Sequence, residues 1–186
     1  TFGSQVKSEC TSKPQSFGST FQVPSSFIKS VLKTGIQDEV TALSKFREMK
    51  ELKKTDGSKK SKLTGIPKLD DANWAGGAKS DQCTLIVTEG DSAKALAVAG
   101  LSVVGRDRYG VFPMRGKCKN VRDATVKQIL ANQEFSDLKK ILGLQQEKNY
   151  TSLKELRYGH LMIMTDADND GSHIKGLILN NIHFFW

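Results

Sequence analysis

The apolar positions of the chain change rhythm twice. Residues 1–22 carry Ser, Thr, Gln and Gly with few apolar anchors. Pro24-Ser25-Ser26 then gives a helix start, and Phe27, Ile28, Val31, Leu32 and Ile36 follow at helical spacing. A second helical stretch is expected from Asp38 to Lys54. Lys50 to Lys62 holds six lysines with Gly57 and three Ser or Thr residues, the composition of an exposed, flexible connector. Nuclear targeting and DNA contact are the other uses of such a run. Residues 64–80 (TGIPKLDDANWAGGAKS) read as a structured lead-in to a new domain.

From Cys83 onward short apolar runs replace the helical period. Thr84 to Thr88 reads as a buried strand, and Glu89-Gly90 as a turn. Asp91 or Ser92 can cap a helix through Leu101, with Ala93, Leu96, Ala97 and Val98 on its apolar face. Tyr109 to Pro113 suggests another strand, and Leu138 to Leu144 fits either element. Leu161 to Thr165 follows the turn signal Tyr158-Gly159-His160 and reads as a buried strand; Ser172 to Phe185 reads as a helix. Strands alternating with helices predict an α/β fold with a mostly parallel sheet covered on both faces. In such sheets function collects at the carboxyl ends of strands. Glu89 and Asp166 both sit at such ends.

Composition narrows the class. The chain has 186 residues, 38% of them hydrophobic, which suits one full domain plus part of another. It starts at Thr1 and stops at Trp186 within an apolar segment, so it is expected to be a piece of something longer. No apolar run reaches the length of a membrane span, and no signal peptide is visible. Cys10, Cys83 and Cys118 are odd in number and widely spaced, which argues against a zinc site or a disulfide framework and for a reducing compartment. The net charge is +8. A basic protein bearing an acidic cluster suits a polyanion partner that also needs a metal.

That cluster is Asp166, Asp168 and Asp170 followed by Gly171, directly after the apolar run Leu161 to Met164. Calcium and magnesium would use it differently. An EF-hand loop opening at Asp166 needs a bidentate Glu at its twelfth position, which here is Leu177, and it should follow a helix rather than a strand. Magnesium prefers hard oxygen ligands and often takes only one or two carboxylates plus substrate phosphate. Asp166 and Asp168 are two apart, so an extended strand end would point both the same way. Together with Glu89 they could hold one or two ions working on a phosphodiester. The plain alternative is that these carboxylates cap the following helix or its turns.

Three longer segments then meet a known pattern. TEGDSAKALAVAGL at 88–101, GVFPMRGKCKNVR at 110–122 and IMTDADNDGSHIKGL at 163–177 closely resemble the Toprim domain of eukaryotic type II DNA topoisomerases. SFGS at 16–19 and GIPKLDDAN at 65–73 also resemble that family, in its order and spacing. The strand-end Glu with Asp-x-Asp is shared with bacterial gyrase, primases and some nucleases, whereas PMRGK and PKLDDAN favour the eukaryotic branch.

The resemblance implies ATP-driven cleavage of one DNA duplex, passage of another and resealing. Cleavage would be a transesterification in which a tyrosine becomes bonded to a 5′ phosphate. It implies a Toprim-like domain at 81–186, preceded by the helical end of a transducer domain at 1–54 and a basic linker and lead-in at 55–80. It further implies that Glu89, Asp166 and Asp168, with Asp170, hold Mg2+ (or Mn2+ in its place), and that Glu89 assists proton transfer to the 3′ oxygen. Lys117, Asn120 and Arg115 fall in or beside the segment that lies against double-stranded DNA; Met114 stands where Leu is usual. GSQVK at 3–7 resembles the loop that carries Gln and Lys to ATP, making Gln5 and Lys7 candidate nucleotide contacts, with Val6 in place of the usual Thr. The parent enzyme would be a nuclear homodimer with no membrane association. Tyr109, Tyr150 and Tyr158 lie in no motif resembling that of the attacking tyrosine, so the chain alone is expected not to cleave DNA. A Toprim-type nuclease or primase using the same carboxylates is the competing reading.

Overall fold

The computed structural model describes residues 23–186, and the chain divides into two compact units, Thr1–Lys45 and Phe46–Trp186. In the first unit, α1 spans Ser25–Lys33 and starts where Pro24-Ser25-Ser26 predicts. Thr34 ends it, and Gly35 takes a left-handed φ of 74° before α2 begins. The apolar face read from sequence is present, but Phe27, Ile28, Leu32 and Ile36 remain exposed among the described residues. Helix α2, Ile36–Lys53, continues into the second unit, where Leu52 is buried.

The second unit is built on three parallel strands, β1 (Thr84–Glu89), β2 (Tyr109–Met114) and β3 (His160–Met164), in the order β2-β1-β3. Helix α3 (Gly90–Val104) connects β1 to β2 and packs against both. Two short helices, α4 (Val126–Leu130) and α5 (Gln133–Leu142), follow β2, and α6 (Asn169–Phe185) follows β3. Leu138 to Leu144 therefore belongs mainly to a helix, which Asn132 caps and Gly143 ends in the left-handed region at φ 80°.

The core gathers Leu85 and Val87 of β1, Phe112 and Met114 of β2, Phe135, Leu138 and Ile141 of α5, and Ile174, Leu177 and Ile178 of α6. Two expectations need correction. The run Leu161 to Met164 is not buried as expected: Met162 is exposed and Leu161, Ile163 and Met164 are half-buried, because β3 leaves the face carrying His160 and Met162 uncovered, whereas β2, equally an edge strand, is covered. Leu96 of α3 is also exposed; Ala93, Ala97 and Val98 are half-buried, and Leu101 supplies the buried anchor. Small residues suffice there because α3 lies close on the sheet.

The lysine run is also less loose than its composition implies. Lys50 and Lys53 complete α2. The Gly57 amide donates to the Leu144 carbonyl at 2.8 Å, and a Cβ on Gly57 would come within 2.6 Å of the Lys139 carbonyl. Asp56 pairs at 2.6 Å with Lys139, whose ammonium also donates to the Leu52 carbonyl at 2.9 Å. The 64–80 lead-in is then held by Asp70, whose backbone bonds in both directions with Val111 of β2. Beside it stands a buried charge network. Arg157, fully buried, donates to Asp71 and to the carbonyls of Lys60 and Ile141, while Tyr158 donates to Asp71 and accepts from the Ala72 amide.

Candidate metal centre and nucleic-acid interface

Strand register decides which residues meet. Glu89 is level with Met114 on β2, and Thr88 with Met164 on β3. Adjacent strands lie about 5 Å apart. The next residues on each strand therefore emerge side by side: Arg115-Gly116-Lys117 from β2, Glu89 from β1, and Thr165-Asp166 from β3. The register sets Glu89 and the Thr165-Asp166 segment at the same end of the sheet, on adjacent strands.

Gly90, with φ 80°, turns the chain sharply from β1 into α3, which leaves Glu89 as the residue preceding that helix. One Glu89 carboxylate oxygen, Oε2, is buried without a hydrogen-bond partner. An unpaired buried carboxylate oxygen is costly unless a cation answers it. The acidic segment beyond β3 is shaped by Gly171, where a Cβ would fall within 2.1 Å of the Asp166 carbonyl oxygen. Only glycine permits that approach, so Gly171 sets the path of Asp166 to Asp170.

The aspartates then divide their work. Asp168 caps α6, its Oδ1 accepting from the Gly171 amide at 2.7 Å. Asp170 pairs with Lys117 at 2.7 Å, and that ammonium holds its carboxyl below the usual carboxylate value. Asp166 is exposed at the strand end. Among the described residues no group of three or more His, Cys, Asp or Glu side chains stands close enough to enclose an ion. Glu89 and Asp166, with the second oxygen of Asp168, nevertheless fit a magnesium ion in donor chemistry, since that ion needs few protein ligands and completes its shell with water and phosphate. The orphaned Glu89 oxygen is the observation that favours the fit.

Around this acidic edge the cations come from other segments. Gly116, at φ 67°, turns the chain between Arg115 and Lys117, both exposed. Because β2 and β3 flank β1, the Lys117–Asp170 pair joins the two outer strand ends across the end of β1. Asn120 is more engaged than its motif suggested. Its amide donates to Asp123 at 2.8 Å, and its oxygen accepts from the Arg122 amide at 3.2 Å and from Asn180 of α6 at 3.0 Å. Gln5 and Lys7 lie outside the described residues. Sequence reasoning missed Lys68, whose ammonium bonds both oxygens of Asp91, at 3.1 and 3.0 Å. Its segment, GIPKLDDAN, carries part of the family resemblance, but nothing in the sequence marks Lys68 as the partner of Asp91. No described helix is long and apolar enough to cross a membrane.

A parallel sheet with a Glu at one strand end and an Asp-x-Asp at the next defines the class, and the Toprim domain model matches residues 84–184. The chain belongs to the Toprim domain family. It is 61% identical over its whole length to DNA topoisomerase 2 of Pisum sativum, of which it covers 13%. It is 57% identical to DNA topoisomerase 2-alpha of Homo sapiens, again over its whole length and 12% of that protein. The chain thus spans about an eighth of the curated relatives it matches. A crystal structure of the Plasmodium falciparum topoisomerase II DNA-binding, cleavage and re-ligation domain superposes with a TM-score of 0.66 at 58% identity, covering 68% of this chain and 18% of that one.

Proposed function

We propose that this chain is the metal-binding and DNA-contacting part of a type II DNA topoisomerase, which cleaves, passes and reseals double-stranded DNA with ATP and magnesium. The observation that carries the reading is the unpartnered, buried Glu89 oxygen beside the strand end that leads into Asp166. The whole-length similarity to DNA topoisomerase 2 sequences supports it and disfavours a nuclease or primase.

In this reading Glu89, Asp166 and Asp168 hold the magnesium, and Asp170 stands beside them. The bound ion supplies charge stabilisation and alignment for transfer at a phosphodiester. Glu89 moves a proton to or from the 3′ oxygen. Lys117 and Arg115 hold the DNA backbone through phosphate, which gives affinity without sequence choice. Asn120 positions the loop between them and α6. We assign residues 1–54 to the end of a transducer domain and residues 55–80 to the linker and lead-in. Gln5 and Lys7 would reach the nucleotide of a homodimeric, nuclear parent.

Calorimetry with magnesium or manganese tests the site, using the chain and an Asp166→Ala, Asp168→Ala double variant with and without a nicked duplex. Binding that vanishes in the variant and strengthens with DNA is expected. Binding indifferent to both substitutions would make the aspartates structural caps and end the proposal.

A further inference from the structure

We propose that Lys68, in the lead-in segment, is a further DNA-phosphate contact, and that Asp91 occupies its ammonium when no DNA is present. The inference rests on the DNA-binding reading above. Asp91 lies two residues beyond Glu89, so its bond to Lys68 puts the ammonium at the same strand end as the acidic site. Arg115 lines the same cleft as Lys68, together with Pro113 and Pro67. Asp91 thus engages Lys68 directly, with Arg115 in the cleft beside them. Lys94 is committed elsewhere, to Asp70 and to the Lys68 carbonyl, each at 2.7 Å. Lys68 and Arg115 are the two that a phosphodiester could recruit.

Two features separate Lys68 from an ordinary surface lysine. Its backbone is fixed by the Lys94 bond and by the pairing of nearby Asp70 with Val111, so its ammonium is delivered to one place. Preorganisation of that kind lowers the ordering cost of a contact. Its partner is also easily displaced. Asp91 is 70% exposed, and an ion pair so open to water is weak. The permanent charge of a phosphodiester, presented by a duplex already held at Lys117, can take the carboxylate's place.

The test measures anisotropy of a fluorescein-labelled nicked duplex bound to the full chain across a sodium chloride series. Lys68→Gln should weaken binding several-fold and lower the slope of log affinity against log salt by about one, whereas Lys68→Arg should keep the slope. Asp91→Asn should strengthen binding several-fold when Lys68 is present and change it little in the Lys68→Gln background. Additive effects would show that Asp91 acts only through overall charge, and would overturn the proposal. An unchanged slope in Lys68→Gln would do the same while leaving the wider site intact. Failure of the unaltered chain to bind the duplex would instead remove the DNA reading itself, and this proposal with it.

Discussion

At the scale of single residues the site is a problem of unmatched charge. Glu89 presents a buried oxygen with no partner, so its negative form lacks compensation when no cation is bound. Glu89→Gln should therefore not lower the thermal unfolding midpoint in chelator, but should abolish the rise that magnesium produces. Differential scanning fluorimetry with and without the ion reads both, and a magnesium-dependent rise surviving in the variant would exclude Glu89 as a ligand. Asp170 shows the opposite case, a carboxyl depressed by its partner Lys117. A depressed carboxyl contributes stability above its ordinary value of 3.8, and loses it as pH falls through the lower folded value. Lys117→Gln should bring the Asp170 titration back up toward 3.8, followed by carboxyl carbon chemical shifts. An unmoved midpoint would mean that the pair does not form in solution.

At the scale of elements, the loops around the sheet are held by contacts between segments far apart in sequence. Asp71 compensates the buried guanidinium of Arg157 and accepts from Tyr158. Asp71→Ala leaves that charge stranded, which should cost about 3–5 kcal/mol in urea unfolding. A loss under about 1 kcal/mol would show that the Lys60 and Ile141 carbonyls suffice. Gly171→Ala must displace the Asp166 backbone, whose oxygen lies 2.1 Å from the added Cβ. We expect a loss of about 1–3 kcal/mol together with the magnesium response; a variant keeping both would break the link between that glycine and the site. These contacts also explain what sequence could reveal. The strands were readable because β1 is a continuous apolar run ended by a turn, and α/β topology was enough to put Glu89 and Asp166 at one end of the sheet. The exposure of Met162 was not readable, because Leu161 to Met164 is a continuous apolar run and only the packing over the sheet decides which face of a strand stays open. The anchoring of Asp56 and Gly57 was equally hidden, because lysine-rich composition signals solvation while a buried partner such as Lys139 comes from a segment over eighty residues away. The Lys68–Asp91 bond was hidden as well, because only the fold of the lead-in against the sheet brings together two residues 23 apart.

At the scale of the whole molecule, the question is what the chain can do without other segments. It carries a net charge of +8 and concentrates Lys68, Arg115 and Lys117 at the strand ends, which in the proposed reading would attract a duplex in a salt-dependent way. A covalent step needs a nucleophile as well, and none of its three tyrosines can supply one there. Tyr109 starts β2, at the end of the sheet opposite Glu89. Tyr150 donates to the Gly143 carbonyl and accepts from the Gln145 amide. Tyr158 is buried, and burial first, then the Asp71 carboxylate, push its hydroxyl far above the usual phenol value, away from the phenolate that attack requires. Incubation of the chain with supercoiled plasmid and magnesium should therefore yield bound DNA but no protein–DNA adduct that survives detergent. The plasmid should remain supercoiled at every protein concentration. A detergent-stable adduct, mapped by mass spectrometry to any of these tyrosines, would mean that the strand-end carboxylates can work on a nucleophile this fold places elsewhere.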